Sequence, residues 1–253
     1  MGRAKPAATL VASDVQEAPT RRNRHNLFEL AYAQLEERLV TCELKPGRQM
    51  TMQQLQDMTG FGRTPIHHAV TRLAADTLIV IRPRHGLQIA AIDLARERVL
   101  LMLRRDIERF VIKLAAERAT MTHRNQILHI ERALRLRQAD ITLSEFNALD
   151  LRIDRLIMAA AGEPFLEHTL RPLHTIFRRI GYIYHSYLPG RSDLHGTIEH
   201  HLAILNAVAN RHVERAVTAS DTLMGFMETM FAEMETGIDP RLLDCSIEPL
   251  FNV

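Results

Sequence analysis

Hydrophobic positions change period along the chain, and the changes divide it into two parts. From Met52 to Met58 apolar residues fall at 52, 55 and 58, one face of a short helix, preceded by the turn signal Lys45-Pro46-Gly47. Thr59-Gly60-Phe61-Gly62 breaks that helix. A second opens at Arg63-Thr64-Pro65 and carries Ile66, Ala69, Val70 and Leu73 at the 3.6-residue period, with Pro tolerated in the first turn. Leu78 to Ile81 and Leu87 to Ala90 are β-prone runs around Arg82-Pro83-Arg84-His85-Gly86, a two-stranded wing with a basic tip. From Asp93 onward long helical patterns take over, with no glycine between Asp93 and Ala161. Six helices are predicted, at about 93–119, 122–138, 143–161, 164–188, 194–210 and 212–235, punctuated by Thr120-Met121-Thr122, Gly162-Glu163-Pro164, Leu188-Pro189-Gly190 and Gly237. The expected fold is mostly α: an N-terminal winged helix-turn-helix followed by an all-α antiparallel helical bundle.

At 253 residues and 46% hydrophobic, the chain can bury a core in each of two domains. The expected division is a mobile tail at 1–26, the winged helix-turn-helix at 27–91, the helical domain at 92–236 and a C-terminal tail at 237–253. Net charge is only +2, but residues 1–90 hold 12 Lys+Arg against 8 Asp+Glu while the rest holds 20 against 22. A basic front end suits a nucleic-acid partner. Two cysteines, Cys42 and Cys245, form no framework and no C-x-x-C, which favours a reducing cytoplasm. The start, with Pro, Ala, Ser and Thr and no continuous apolar core, does not read as a signal peptide, and no run approaches the roughly 18–20 apolar residues of a membrane span.

The first helices carry the chemistry of a DNA reader. Arg63 and Thr64 stand at the start of the second helix, His67 and His68 one turn on, and Arg72 further along. Residues there reach base edges, and a bidentate Arg63–guanine pair is worth roughly 1–3 kcal/mol of discrimination. Arg82, Arg84, His85 and Gly86 would bring the wing to phosphates or the minor groove. On periodicity alone, an ordinary subdomain with solvated arginines remains the alternative.

The same residues resemble the DNA-binding domain of the GntR family of bacterial transcription regulators. Leu44, Pro46, Gly47, Met50, Leu55, Gly60, Arg63, Thr64, Pro65, Ile66, Ala69, Val70, Leu73 and Gly86 stand at the family's spacings. Three positions depart: Gly62 replaces a capping Ser, His67 an Arg and Thr77 a Gly. The cap change costs only a few tenths of a kcal/mol. The change to His67 removes a permanent charge and predicts weaker or differently specific binding, with pH dependence near the histidine pKa.

The helical region resembles the FCD branch of that family, in which the bundle binds a small carboxylate and forms the dimer. That resemblance implies a divalent metal held by an Asp, a His four residues on, and two His from the last two helices. Asp150 and His201 match, but Asp154 replaces one His and Leu223 the other, so the set is eroded. Asp150, Asp154 and His201 could hold one divalent ion with water; alternatively the aspartates pair with arginines such as Arg104, Arg152 or Arg155, and His201 is a hydrogen-bonded pocket residue. Arg104 matches a family arginine one turn before Glu108, and Arg178 or Arg179, Tyr182 and His185 are spaced to add a second polar group for a carboxylate.

Thirteen histidines invite an enzyme reading, but no nucleophile is paired with them and no H-E-x-x-H, phosphate loop or Rossmann fingerprint occurs. The expectation is a ligand-responsive regulator, a repressor by resemblance, that senses a small organic acid and binds a palindromic double-stranded operator as a homodimer. Its rivals are a DNA-binding protein with a degenerate, ligand-insensitive second domain and a small helical metal-binding enzyme.

Overall fold

The computed structural model describes the backbone of residues 21–247, with side chains from Asn26 onward. The sequence-predicted tail at 1–26 lies mostly outside the described residues, but its last part does not: helix α1 (Arg21–Val40) already begins there. A strand β1 (Gln49–Met50), helices α2 (Met52–Thr59) and α3 (Arg63–Ala75), and strands β2 (Ile79–Arg82) and β3 (Gly86–Ile89) complete the first domain. Thr51 and Gln54 form a capping box that starts α2, and Gly60 ends it at φ 74°. The wing has three strands in the order β1-β3-β2, all antiparallel, with Ile81 opposite Leu87 and Arg82 opposite Gly86. β1 is too short to leave a periodic signal. Gly86 lies at φ 85°, and a Cβ there would come within 2.6 Å of the Met50 carbonyl oxygen, so the β1–β3 approach requires glycine.

Six long helices follow: α4 (Leu94–Arg118), α5 (Met121–Arg137), α6 (Leu143–Ala161), α7 (Pro164–Tyr187), α8 (His195–Ala209) and α9 (Val213–Gly237). Their ends are set by local chemistry. Asp93, Thr120 and Thr142 cap α4, α5 and α6 with side-chain acceptors, Gly162 ends α6 at φ 70°, and Pro164 opens α7. α7 joins the two domains. Every residue from Leu173 to Ile180 is buried, and Ile176 belongs to the core of the first domain while Leu173, Phe177 and Ile180 belong to that of the bundle. One helix therefore packs into both cores.

The expected C-terminal tail is docked as far as Ile247. Gly237 closes α9, a short helix α10 (Pro240–Leu243) follows, and two backbone bonds tie the segment down: Ile92 N–H to Leu243 O at 2.8 Å, and Cys245 N–H to Pro46 O at 2.9 Å. It thus bridges the interdomain connection and the turn before β1.

Candidate functional site

The N-terminus of α3 is the exposed end of the helix-turn-helix. Gly62 offers no side-chain acceptor to the first turn, which leaves backbone N–H groups for an anion such as a phosphate. Arg63, Thr64, His67 and His68 are exposed around it, as are Arg82, Arg84 and His85 on the wing. Three of these expected contacts are engaged within the protein. His68 stacks on Phe28 of α1 with ring centroids 4.7 Å apart, and Arg82 reaches Gln88 Oε1 at 3.0 Å across the wing. Arg72 bonds both oxygens of Glu29, at 2.9 and 3.1 Å, with its guanidinium 4.0 Å from the centre of the Tyr32 ring. It lies in the last turn of α3, facing α1, so it braces the two helices instead of extending freely toward DNA. Gly86 has its backbone reason, given above, independent of any partner.

A second site lies inside the bundle. Residues of five helices line a cavity of about 60 Å³: Arg104 from α4, Phe146, Asn147 and Asp150 from α6, Phe177, Arg178, Gly181 and His185 from α7, Thr197 and His201 from α8, and Leu223, Met227 and Met230 from α9. By that measure one water needs roughly 10–15 Å³, so the space suits a compact molecule. Arg104, Asp150, Arg178 and His201 all reach it. Tyr182 does not line it; at about 100° per residue on a helix, the face of Arg178 continues through Gly181 and His185 and turns Tyr182 aside. Arg179, the other arginine weighed for the cavity, points between the domains and donates to the Ala90 carbonyl at 3.0 Å.

Buried charges at the cavity are paired. Asp150 Oδ1 is 2.9 Å from His201 Nε2, and His201 Nδ1 donates to the Thr197 carbonyl at 2.7 Å. Burial alone would lower the His201 imidazole, but the hydrogen bond and charge of Asp150 outweigh it and hold it above its ordinary value. Burial would likewise raise the Asp150 carboxyl, yet the His201 bond and the charges of His201, Arg178 and Arg104 bring it down. Behind this pair runs a second chain. Glu108 Oε2 is 3.3 Å from Arg104 Nε and 3.1 Å from His174 Nε2, and His174 Nδ1 is 3.3 Å from Asp154. Against the cost of burial, His174 and Arg104 hold the Glu108 carboxyl down at about 2. Burial, reinforced by the charge of Asp150, raises Asp154.

This arrangement does not fit the metal implied by resemblance. Asp154 turns to His174 and lines a separate hollow with Arg155, Met158, Glu167, Arg171 and Arg178, and it does not line the cavity that Asp150 and His201 reach. Leu223 contributes only hydrocarbon to the cavity wall. Among the described residues no three His, Cys, Asp or Glu converge to hold an ion. Positive charge comes instead from Arg104 and Arg178. Two of the residues that line the cavity carry a buried donor without a partner, Arg178 at Nε and Asn147 at Nδ2. Neither Asn147 nor His174 stood out in the sequence; the available signal was a polar side chain inside an apolar helix face.

Comparison with known proteins agrees with both halves. The model of bacterial regulatory proteins of the gntR family matches residues 27–89, and that of the FCD domain matches residues 99–226. The HTH-type transcriptional repressor RspR of Escherichia coli K12 is 28% identical over 194 residues, which is 74% of this chain and 82% of that protein. Among solved structures, E. coli McbR/YncC superimposes with a TM-score of 0.71 at 17% identity, covering 83% of this chain and 99% of its own. A putative GntR regulator from Rhodococcus sp. RHA1 follows at 0.62 and 12%, covering 82% and 98%. With a reading helix and wing at one end and a helical FCD bundle at the other, the chain belongs to the GntR family of bacterial regulatory proteins and is a DNA-binding transcription regulator, not an enzyme.

Proposed function

We propose that this regulator is a repressor whose bundle cavity binds a compact organic carboxylate and so alters its grip on the operator. One observation carries the reading: Arg104, Arg178 and Asn147 line one small cavity, and Arg178 Nε and Asn147 Nδ2 are buried without partners. Unpaired buried donors are costly, and an anion that accepts from them recovers that cost on binding. The residues present favour recognition by guanidinium and amide groups rather than through a divalent metal. The repressor assignment rests on likeness to RspR.

A homodimer fits the exposed face of α4, where Val99, Met102, Leu103 and Phe110 are each at least half exposed. Large apolar side chains grouped on one helix face mark an association surface. A two-fold pair would present two reading helices to a palindrome.

The test is a thermal-shift screen of small organic acids on wild type and Arg104→Ala, with EDTA and then with added Mn²⁺, Mg²⁺ or Zn²⁺. At a hundredfold excess over Kd a true ligand stabilises by about 2.7 kcal/mol. Stabilisation of wild type in EDTA, absent in Arg104→Ala, is expected. No shift with any acid would leave a DNA-binding protein with an insensitive bundle, and a shift only with metal would restore the metal centre.

A further inference from the structure

Arg178 borders three spaces, one of them the hollow beside Asp154. It lines the bundle cavity, and it also lines a cleft of about 510 Å³ between α1 and α6, walled by Leu30, Phe61 and Leu151 among others. Its side chain is buried, at 7% exposure, and Nη2 lies 3.2 Å from Thr175 Oγ1 and 3.8 Å from Glu36 Oε1. Glu36 belongs to α1 and is 3% exposed. Thr175 donates its hydroxyl to Glu36, and the Tyr32 hydroxyl lies 3.4 Å from the same oxygen. Among the described residues, Arg178 is the one cation within ion-pair distance of this carboxylate.

We propose that Arg178 is the coupling residue: an anion bound in the cavity takes its guanidinium away from Glu36 and thereby loosens helix α1 of the reading domain from α7. The inference rests on the carboxylate-binding reading above and adds how binding is transmitted. A guanidinium offers one planar fork, and a ligand carboxylate in the cavity would engage Nε and a terminal nitrogen together. The 3.8 Å contact to Glu36 is already at the outer limit of an ion pair. If the fork turns to the ligand, Glu36 keeps the neutral Tyr32 and Thr175 hydroxyls but loses its counter-charge inside the protein, which is unfavourable. The cost is relieved by movement of α1.

That movement has a route to the reading helix. Beyond Glu36, Tyr32 reaches Asp76 at 3.2 Å, just past the end of α3, and its ring carries the Arg72 guanidinium of α3 itself. Arg171 of α7 reaches the same Asp76 at 3.8 Å. In this proposal the domain contact has two charge pairings, Arg178 with Glu36 or Arg178 with the ligand, and a ligand biases them only through its differential affinity.

Glu36→Gln tests this with little disturbance, because the amide oxygen still accepts from Tyr32 and Thr175. The duplex is one selected from a random library by wild type, and the probes are pyruvate, malonate and succinate. Ligand-free Glu36→Gln and Arg178→Gln are each expected to change duplex affinity by roughly fivefold or more, the lower end of ordinary allosteric coupling. The double variant strands neither charge, so its effect should fall well short of the sum of the two single ones, and amide exchange in residues 27–40 should quicken in both single variants. Arg155→Gln, on the cleft wall, should behave as wild type. For any acid that binds wild type, Glu36→Gln should bind it more tightly while duplex affinity no longer responds. Wild-type duplex affinity and exchange in folded Glu36→Gln and Arg178→Gln overturn the proposal, as do additive effects in the double variant. If no acid binds wild type, the carboxylate reading fails, and the ligand-free arm still decides whether this pair couples the domains.

Discussion

The reading head and the bundle cavity place their polar groups in opposite ways. Around the start of α3, Arg63, Thr64 and His67 stand exposed on a surface whose fold is held by other residues, Leu55, Ile66, Val70 and Leu73. In the bundle, Arg104, Glu108, Asp150, Asp154, His174 and His201 are drawn from α4, α6, α7 and α8, and they hold one another. DNA brings its own charge to a preformed surface, so its contacts can wait in solvent. A small anion must be met inside the protein, where every charge needs a partner before the ligand arrives. Function and stability are therefore separable in the first region and entangled in the second.

The largest expected effect follows from that entanglement. Glu108→Ala leaves the buried Arg104 and His174 without their shared acceptor and should cost about 3–5 kcal/mol of stability. Chemical denaturation measures it; a loss under 1 kcal/mol would mean that the cluster is solvated and the comparison mistaken. Arg63→Ala comes next and should reverse the pattern. It should cost about 1–3 kcal/mol of discrimination at the operator, the worth of a bidentate base contact, with the melting temperature unchanged. Equal weakening on every duplex would reassign Arg63 to phosphate. A smaller change is expected for His67→Arg, which restores a permanent positive charge on the exposed face of α3. Duplex affinity should rise and fall off more steeply with added salt, as one more basic side chain reaches the phosphates. The same affinity and the same salt dependence in the two proteins would remove His67 from the interface.

The same contrast governs what was legible in the sequence. The six long helices lie within about two residues of their expected ends because Thr120, Thr142, Gly162 and Pro164 act locally, through caps and backbone preference. The exposed face of α3 was legible too, since consecutive turns of one helix determine it. The cavity was legible only in outline. Asp150 and His201 meet as the spacing allowed, but Asp154, four residues on, chooses His174 because α7 passes on that side of α6. Tyr182 fails by one helical position for the same reason: which face of α7 turns inward depends on its neighbours. The link from Arg178 to Glu36 joins residues 142 apart in the chain, and neither residue alone marks it.

The finest test compares two histidines of the same cavity. His185 donates from Nδ1 to the Arg191 carbonyl at 2.6 Å and lies 3.0 Å from Thr197 Oγ1 through Nε2, so a neutral ring satisfies both contacts. Burial lowers its pKa, opposed by the Arg191 carbonyl and Asp193. His201 is raised, because Asp150 outweighs burial. Both titrate near 6.5 in the unfolded chain. As pH falls through that value, the unfolded state protonates His185 before the folded state does, so stability is lost until the lowered folded pKa is reached. For His201 the folded state binds the proton more tightly. Its contribution is full below about 6.5 and disappears as pH rises through the raised folded pKa. Removing each ring should therefore tilt the stability profile in opposite directions: relative to wild type, His185→Gln gains toward acid and His201→Gln loses toward acid. Urea unfolding in EDTA at several pH values between about 5 and 8 measures the two slopes. Slopes of the same sign would mean that the Asp150–His201 pair does not hold its proton in the folded protein, and the charge balance drawn for the cavity would have to be redrawn around Arg104 and Arg178 alone.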